Sequence, residues 1–504
     1  MGNKTIKSAL ISVYHKDGLE DIIAGLKKHN ITVYSTGGTY AHLDNTGLDL
    51  RKVEDLTSYP SILGGRVKTL HPKVFGGILA MRNDDHIGQL EKYEIPTIDL
   101  VIVDLYPFEE TVANSDDEAE IIEKIDIGGI ALIRGAAKNY NDVVVIPSKD
   151  QYSDLETILV NGGESSLEQR KELSGKAFGI SSHYDTAIHN YLSPSKKLNI
   201  SATQGTSLRY GENPHQQGIF FGEMEAMFNK LSGKELSYNN LVDVDAAINV
   251  MKEFKDEQPT CAILKHTNTC GLASADTVHG AWTKALEADS VSAFGGIFIF
   301  NHPVDKETAE EINKLFYEVV IAPDFTDEAQ SVLTAKSKRI LLKLNHYNTR
   351  TKSVKSLLNG YIEQDIDQTL ETSDSFTYPT VTQATDAQIT DLIFALKCVK
   401  HLKSNTIVFV KDKQMLSMGC GQTSRVDACN QAINKAAAFN LSLEGSVMAS
   451  DAFFPFPDCV ELAAAAGVKA VVQPGGSIKD NLSIEACDKH SIAMALTGVR
   501  HFKH

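Results

Sequence analysis

"KSALISVYHKDGLEDIIAGLKKHNITVYSTGGT", residues 7–39, decides the fold class of this chain. Lys7–Val13 is a short apolar run of the kind that forms a buried strand, and Leu19, Ile22, Ile23 and Leu26 then recur on one helical stripe. A second apolar run, Ile31–Tyr34, stops abruptly at Ser35, Thr36, Gly37, Gly38 and Thr39. Strand, helix, strand in this order predicts an α/β fold: a parallel sheet covered by helices, with ligands held outside the carboxyl ends of the strands. Two glycines among small hydroxyl residues let backbone N–H groups approach an oxyanion, and a helix starting near Tyr40 adds its positive end. The same five residues also read as an ordinary capped turn.

Further along the first half, "GGRVKTLHPKVFGGIL" (residues 64–79) brings Arg66, Lys68 and Lys73 together between two glycine pairs, either a cation cluster facing a ligand or a solvated basic face. "DLVIVDLYPFEETV" (99–112) reads as a buried parallel strand closing on Tyr106. In "IDIGGIALIRGAAKNY" (125–140), Asp126 precedes a helix start at Gly128–Gly129, with Lys138 on that helix's far turn. A lysine, a tyrosine and an aspartate suit a proton-shuttling site, although each is equally at home as a capping or pairing residue. No G-x-G-x-x-G follows a strand. The Gly-Lys pairs at 175–176 and 233–234 are followed by Ala177 and Glu235, so neither is a P-loop.

At 504 residues the chain calls for two large domains. The polar, helix-poor stretch Leu192–Leu208 marks the linker, and the boundary is placed between residues 195 and 196. A net charge of -16 argues against nucleic acid or an anionic membrane as partner, because both require a sizeable basic surface. No apolar run approaches the ~18 residues of a membrane span. All seven cysteines lie at or after Cys261, with no disulfide-framework or zinc-site spacing, so free thiols and a cytoplasmic setting are expected.

The second half carries its own clusters. "LRYGENPHQQGIFF" packs Arg209, Tyr210, Asn213 and His215 into seven positions, and "LSYNNLVDVDAA" sets Asn239 and Asn240 at the head of a helix. In "CAILKHTNTCG" (261–271) a core strand ends on Lys265 and His266. A histidine at such a point serves either as a satisfied structural residue or as a base kept neutral by the neighbouring ammonium. "KSNTIVFVKDKQMLSMGCGQTSRVDAC" reads as two strands joined at Lys411–Lys413 and followed by Ser424 and Arg425. "SDAFFPFPDC" sets Asp451 before Phe453, Phe454 and Phe456, aromatics that either fill a core or sandwich a flat heterocycle.

Taken in order, "STGGT", "GGRVKTLHP", "LYPF", "IDIGG", "RGAAKN", "LRYGENPHQ", "LKH", "SAFGGI", "KSNTIV", "GCGQTSRVD", "SDAFFPF", "QPGGSIKD" and "GVRHFKH" resemble the bifunctional family that joins AICAR transformylase to IMP cyclohydrolase. The resemblance spans nearly the whole chain and is weakest from Asp327 to Gln383. It implies a methylglyoxal synthase-like parallel-sheet domain over 1–195. Over 196–504 it implies a transformylase domain of two cytidine-deaminase-like α/β subdomains without catalytic metal. The implied reactions are formyl transfer from 10-formyltetrahydrofolate to the amine of AICAR, giving FAICAR, and closure of FAICAR to IMP with loss of water. A homodimer with sites shared between chains is also implied.

By the same resemblance, His266 takes a proton from the attacking amine and Lys265 stabilises charge on the formyl group or protonates the leaving folate. Arg209, Tyr210, Asn240, Ser424, Arg425, Arg500 and His504 hold the nucleotide; Asn405, Asp451, Phe453, Phe454 and Phe456 face the folate. Lys68, Tyr106, Asp126 and Lys138 match the cyclohydrolase catalytic groups, and Ser12, Lys16, Ser35, Gly37, Gly38, Thr39, Arg66 and Thr69 its nucleotide-binding positions. Three positions depart from the family pattern: Thr269 stands where Pro is expected, Cys420 where Ala is common, and Pro457 where Arg is common. The competing readings are a nucleotide-binding sensor without turnover, and an enzyme that keeps one of the two activities.

Overall fold

In a computed structural model, which describes residues 2–193, 197–202 and 205–504, the run Ser8–Val13 (β1) is the middle strand of a five-stranded parallel sheet. The other strands are Thr32–Ser35 (β2), Asp49–Lys52 (β3), Leu100–Asp104 (β4) and Val144–Ile146 (β5), in the order β3-β2-β1-β4-β5. Ala9, Leu10 and Ile11 are fully buried, as expected of a strand covered on both faces, which explains its continuous rather than alternating apolar pattern. Helix α1 (Glu20–Lys28) buries Ile22 and Leu26, and carries Glu20 and Asp21 in its first turn and Lys27 and Lys28 in its last, matching the helix dipole at both ends. Each buried aliphatic side chain contributes about 1.5–3 kcal/mol. The strand order reverses beside β1, where β2 leaves on one side and β4 on the other, and such a switch point opens a crevice at the carboxyl ends.

Helices α2 (Gly37–Leu43) and α3 (Gly128–Lys138) begin at that end of the sheet. The long helix α4 (Leu167–Leu192) starts with a capping box between Ser166 and Gln169. Its fully buried Arg170 is satisfied by backbone carbonyls: Nε donates to Tyr140, Nη1 to Ser165 and Nη2 to Asn141, at 2.6–3.0 Å. The chain divides into two units, Met1–Gln204 and Gly205–His504. Residues 195 and 196, where the sequence places the boundary, lie outside the described residues.

Among the described residues the second unit is organised on one eleven-stranded sheet. Its strands are Phe228–Ser232 (β6), Thr260–Lys265 (β7), Asn268–Ser274 (β8), Gly296–Phe300 (β9), Tyr317–Ala322 (β10), Ile340–Leu344 (β11), Ile407–Lys411 (β12), Gln414–Gly419 (β13), Val447–Ser450 (β14), Ala470–Gln473 (β15) and Ala493–Leu496 (β16). Their order is β6-β11-β10-β9-β7-β8-β13-β12-β14-β15-β16. Read outward from the centre, the two halves repeat. Each has an antiparallel hairpin (β7–β8, β12–β13), a strand antiparallel to it (β9, β14) and two further parallel strands.

The helices repeat as well. Helix α5 (Tyr238–Lys252) precedes the first hairpin and α7 (Asp386–Val399) the second, each opened by a capping box. Helices α6 (Val278–Ala288) and α8 (Arg425–Ala438) follow the hairpins and are capped by Thr277 and Ser424. Close packing of hairpin on helix needs glycine in both halves, because a Cβ on Gly271 would overlap the Ala285 carbonyl and one on Gly419 the Ala428 carbonyl. The halves join where Ala273 pairs with Gln414. One face of the sheet is covered by a single core that runs through both halves, including Leu264 and Val408; the other face carries two separate cores, around Trp282 and around Phe409.

Candidate active sites

In the first unit, a cleft of about 650 Å³ opens at the switch point, within the usual range for a ligand site. Ser12, Lys16, Gly37, Gly38, Thr39, Arg66, Lys68, Thr69, Tyr106 and Asp126, all anticipated from the sequence, line it. Thr39 fixes α2 to the end of β1: its hydroxyl donates to the Val13 carbonyl at 3.0 Å and accepts the Val13 N–H at 3.1 Å. Lys68 lies over glycine backbone, where a Cβ on Gly65 would come within 2.5 Å of its Cε and one on Gly37 within 3.1 Å of its Nζ. Asp126 caps α3 from within the cleft, with Oδ1 accepting the Gly129 N–H at 2.6 Å. The α3 amino end therefore points its positive dipole at the same space as Lys68.

Burial shifts the titration of three groups in this cleft. Burial raises the Asp126 carboxyl, against the pull of the Gly129 N–H, and burial together with the Asp126 charge raises the Tyr106 phenol. Burial lowers the Lys16 ammonium, opposed by Asp104, and that ammonium donates to the Val13 carbonyl and, at 2.9 Å, to that of Tyr14. A half-buried acid and a half-buried amine moved toward neutrality are a combination that suits proton shuttling.

Two anticipated residues are not in this cleft. Ser35 is fully buried and donates its hydroxyl to the Ile11 carbonyl at 2.8 Å, so it ties β2 to β1. Lys138 is exposed on the last turn of α3, about 15 Å of helix rise from Gly128. Arg66 is present but already ion-paired with Glu123. Sequence reasoning missed Glu123, Tyr14 and Asp104, which also line the cleft. Asp104 had a readable signal, since it ends the strand next to the switch point; there its Oδ2 accepts the His15 N–H at 2.8 Å.

In the second unit the register of the central strands does the gathering. β7 ends at Lys265, β9 begins beside it at Gly296, β12 begins at Ile407 opposite Gly419, and β14 ends at Ser450 opposite Ile407. Consequently Lys265, His266, Asn405, Asp451 and Phe453 leave the same end of the sheet. His266 is exposed on a two-residue turn, while the Lys265 ammonium donates to the Phe294 carbonyl at 2.7 Å. The Cys420 thiol stands 3.6 Å from Asn268 Oδ1, linking the two hairpins at this end.

Arg425, Asn405 and Asp451 form one buried network. Arg425 Nη2 donates to Asp451 Oδ1 at 2.7 Å and to Asn405 Oδ1 at 3.1 Å, and its Nε donates to Ser450 Oγ at 2.7 Å. Asp451 is fully buried, and its second oxygen has no hydrogen-bond partner among the described residues. The same network holds residues that the resemblance divides between nucleotide and folate.

Of the other anticipated residues, some are engaged in structural bonds and some are exposed. Asn240 is buried in the α5 capping box, with Oδ1 accepting the Ser237 N–H at 3.1 Å. Ser424 caps α8, accepting the Asp427 N–H at 3.1 Å. Phe454 is fully buried core, while Phe453 and Phe456 keep exposed edges. Thr269, which stands where the family pattern has Pro, is buried in β8 opposite Leu264. Arg209 is exposed and stacks on the Tyr210 ring, 4.5 Å from its centroid, beside the start of α5. At the carboxyl end Arg500 and His504 are exposed. Between them, buried His501 bonds Asp367 at 2.6 Å and Glu371 at 2.7 Å. That pair lies in the stretch where the resemblance was weakest.

The family profile described as AICARFT/IMPCHase bienzyme matches residues 136–435, and that described as MGS-like domain matches residues 18–131. A protein of Bacteroides thetaiotaomicron named Bifunctional purine biosynthesis protein PurH is 54% identical over 506 residues, covering 100% of this chain and 99% of that one. Proteins of the same name from Acetivibrio thermocellus and Ruminiclostridium cellulolyticum are 46% and 44% identical, each covering 99% of this chain and 100% of the relative.

Proposed function

The chain belongs to the AICARFT/IMPCHase bienzyme family, and from that premise we propose how its residues divide the two reactions. It is a bifunctional enzyme of purine biosynthesis, a phosphoribosylaminoimidazolecarboxamide formyltransferase and IMP cyclohydrolase, and its family implies a folate-type formyl donor. The donor in this reading is 10-formyltetrahydrofolate. The amine nitrogen of AICAR attacks the formyl carbon, a C–N bond forms, and the bond between that carbon and folate N10 breaks. The amine proton passes to His266; Lys265 stands next to it to balance charge on the formyl oxygen or to protonate N10. Because the amine lone pair is delocalised into the ring, positioning and proton transfer supply much of the rate. The unpaired Asp451 oxygen supports a nearby ligand N–H donor, and the exposed edges of Phe453 and Phe456 suit the flat pterin.

In the first-unit cleft, the carboxamide nitrogen of FAICAR attacks its own formyl carbon, and the ring closes as water leaves. Lys68 and the α3 amino end stabilise the oxyanion, while Asp126, Tyr106 and Lys16 handle protons. Lys138 has no part within this cleft of its own chain. The homodimer and the cytoplasmic setting belong to the same reading. Among the described residues no helix is long and apolar enough to cross a membrane.

The observation that carries the proposal is the convergence of Lys265, His266, Asn405 and Asp451 on one sheet end, in a chain whose other unit holds a separate cation-lined cleft. Purified protein given AICAR and 10-formyltetrahydrofolate is expected to form IMP, and given FAICAR alone to form IMP without folate. IMP from neither, in a folded protein, leaves the sensor reading; IMP from FAICAR alone leaves a single-activity enzyme.

A further inference from the structure

The repeat in the second unit sets an aspartate at the same point of both halves. Asp243 is the sixth residue of α5 and Asp391 the sixth of α7. Each carboxylate closes the turn of the hairpin that follows its helix. The Thr267 N–H donates to Asp243 Oδ1 at 2.7 Å; the Asp412 and Lys413 N–H groups donate to Asp391 Oδ2 and Oδ1 at 2.9 and 2.8 Å.

Both turns are strained in the same way. His266 and Thr267 have φ of 50° and 64°, and Asp412 and Lys413 have 51° and 53°. This is the mirror-image turn that suits a right-twisted hairpin but favours glycine or asparagine at both places. Histidine and aspartate tolerate it; a β-branched threonine does not do so readily, and such a residue persists there only where its surroundings over-determine it. The strained Thr267 is the residue whose N–H Asp243 takes.

The two clamps differ in one respect. Asp391 commits both oxygens to its turn, whereas Asp243, among the described residues, makes a single bond, to the residue after His266. The first hairpin presents an imidazole to the reaction; from within the turn Thr267 Oγ1 and Asn268 Nδ2 donate to the His266 carbonyl at 2.6 and 3.0 Å, and Asp243 is the acceptor that reaches the turn from the helix. The second hairpin turns at the opposite end of the sheet and presents no reacting group.

We infer that Asp243 is a positioning residue for formyl transfer, holding His266 at the end of β7 through the Thr267 N–H. This rests on the reading of His266 as the proton acceptor. The test compares Asp243→Ala, Asp243→Asn, Asp391→Ala and His266→Ala in the full chain. Because a misplacement of about 1 Å costs on the order of 100-fold, Asp243→Ala is expected to lower kcat for formyl transfer by about that factor, with KM for AICAR little changed. Asp243→Asn keeps an acceptor oxygen, so it folds more readily and is expected to restore most of that rate. Asp391→Ala is expected to lower the melting temperature while leaving kcat within about twofold.

Equal loss of kcat in Asp243→Ala and Asp391→Ala would overturn the inference by making both carboxylates merely structural. Full kcat in Asp243→Ala with His266→Ala inactive would overturn it alone. Full transfer in His266→Ala would overturn the underlying reading, and this inference with it.

Discussion

The two candidate sites are assembled by different means. In the first unit, loops leave parallel strands at their carboxyl ends and fold over a cleft that a single chain encloses, lined by Lys68, Asp126 and Tyr106. In the second, strand register alone lines residues up along one end of the antiparallel centre of a mixed sheet, where His266 is exposed. A loop-built cleft depends on glycines that let backbone come close. A register-built site depends on buried polar networks, such as Arg425 with Asp451 and Asn405, that hold strand ends together. Damage should therefore reach the two sites by different routes, and variants of each kind test that contrast.

The largest effect is expected in the second unit. Asp451→Ala strands the buried Arg425 guanidinium, and breaking a buried pair costs about 3–5 kcal/mol. Chemical denaturation should show this loss in the transition of the second unit, with cyclohydrolase activity retained; a loss under about 1 kcal/mol would mean that the network is not what joins β12 to β14.

In the first unit Gly65→Ala should act on turnover. Gly65 has φ of 90°, and an added Cβ would come within 2.5 Å of Lys68 Cε, so the lysine must move. Cyclohydrolase kcat is expected to fall by roughly 10–100-fold while formyl transfer stays unchanged. Unchanged cyclisation would separate Lys68 from the chemistry.

The smallest effect is a pH dependence. Burial disfavours the charged form of His501, but bonds and charge from Glu371 and Asp367 outweigh it and raise the imidazole above its usual 6.5. A raised histidine gives stability that is complete below the unfolded value and lost as pH rises through the folded one. The melting-temperature advantage of the wild type over His501→Gln should thus be largest below the usual value of 6.5 and shrink as the pH rises above it. An advantage that grows with pH would show that the histidine is neutral in its pocket.

The parallel sheet of the first unit was legible because β1 is a continuous apolar run and its switch point follows from strand order. Part of the cleft was legible too, since Arg66 and Lys68 stand out as a cation cluster beside Gly64 and Gly65, whereas Ser12, Lys16 and Thr69 came only with the family resemblance. Asn240, Ser424, Ser35 and Phe454 also cap helices, tie strands or fill the core, and motif position alone does not separate that role from ligand contact. Glu123 and Asp243 escaped notice because their partners, Arg66 and the Thr267 N–H, lie on other elements. The repeat in the second unit left only scattered traces in residue identity, Asp243 with Asp391 and Gly271 with Gly419, while His266–Thr267 and Asp412–Lys413 share a backbone turn and no chemistry.

One chain with two independent sites is the central claim, and a reciprocal pair of variants tests it most directly. His266→Ala and Lys68→Met are each assayed with AICAR plus 10-formyltetrahydrofolate and, separately, with FAICAR. Since positioned proton transfer contributes about 10²–10⁴-fold, His266→Ala should lose formyl transfer by that order yet still convert FAICAR to IMP, whereas Lys68→Met should accumulate FAICAR. Loss of both reactions in either folded variant, or of neither, would contradict the account.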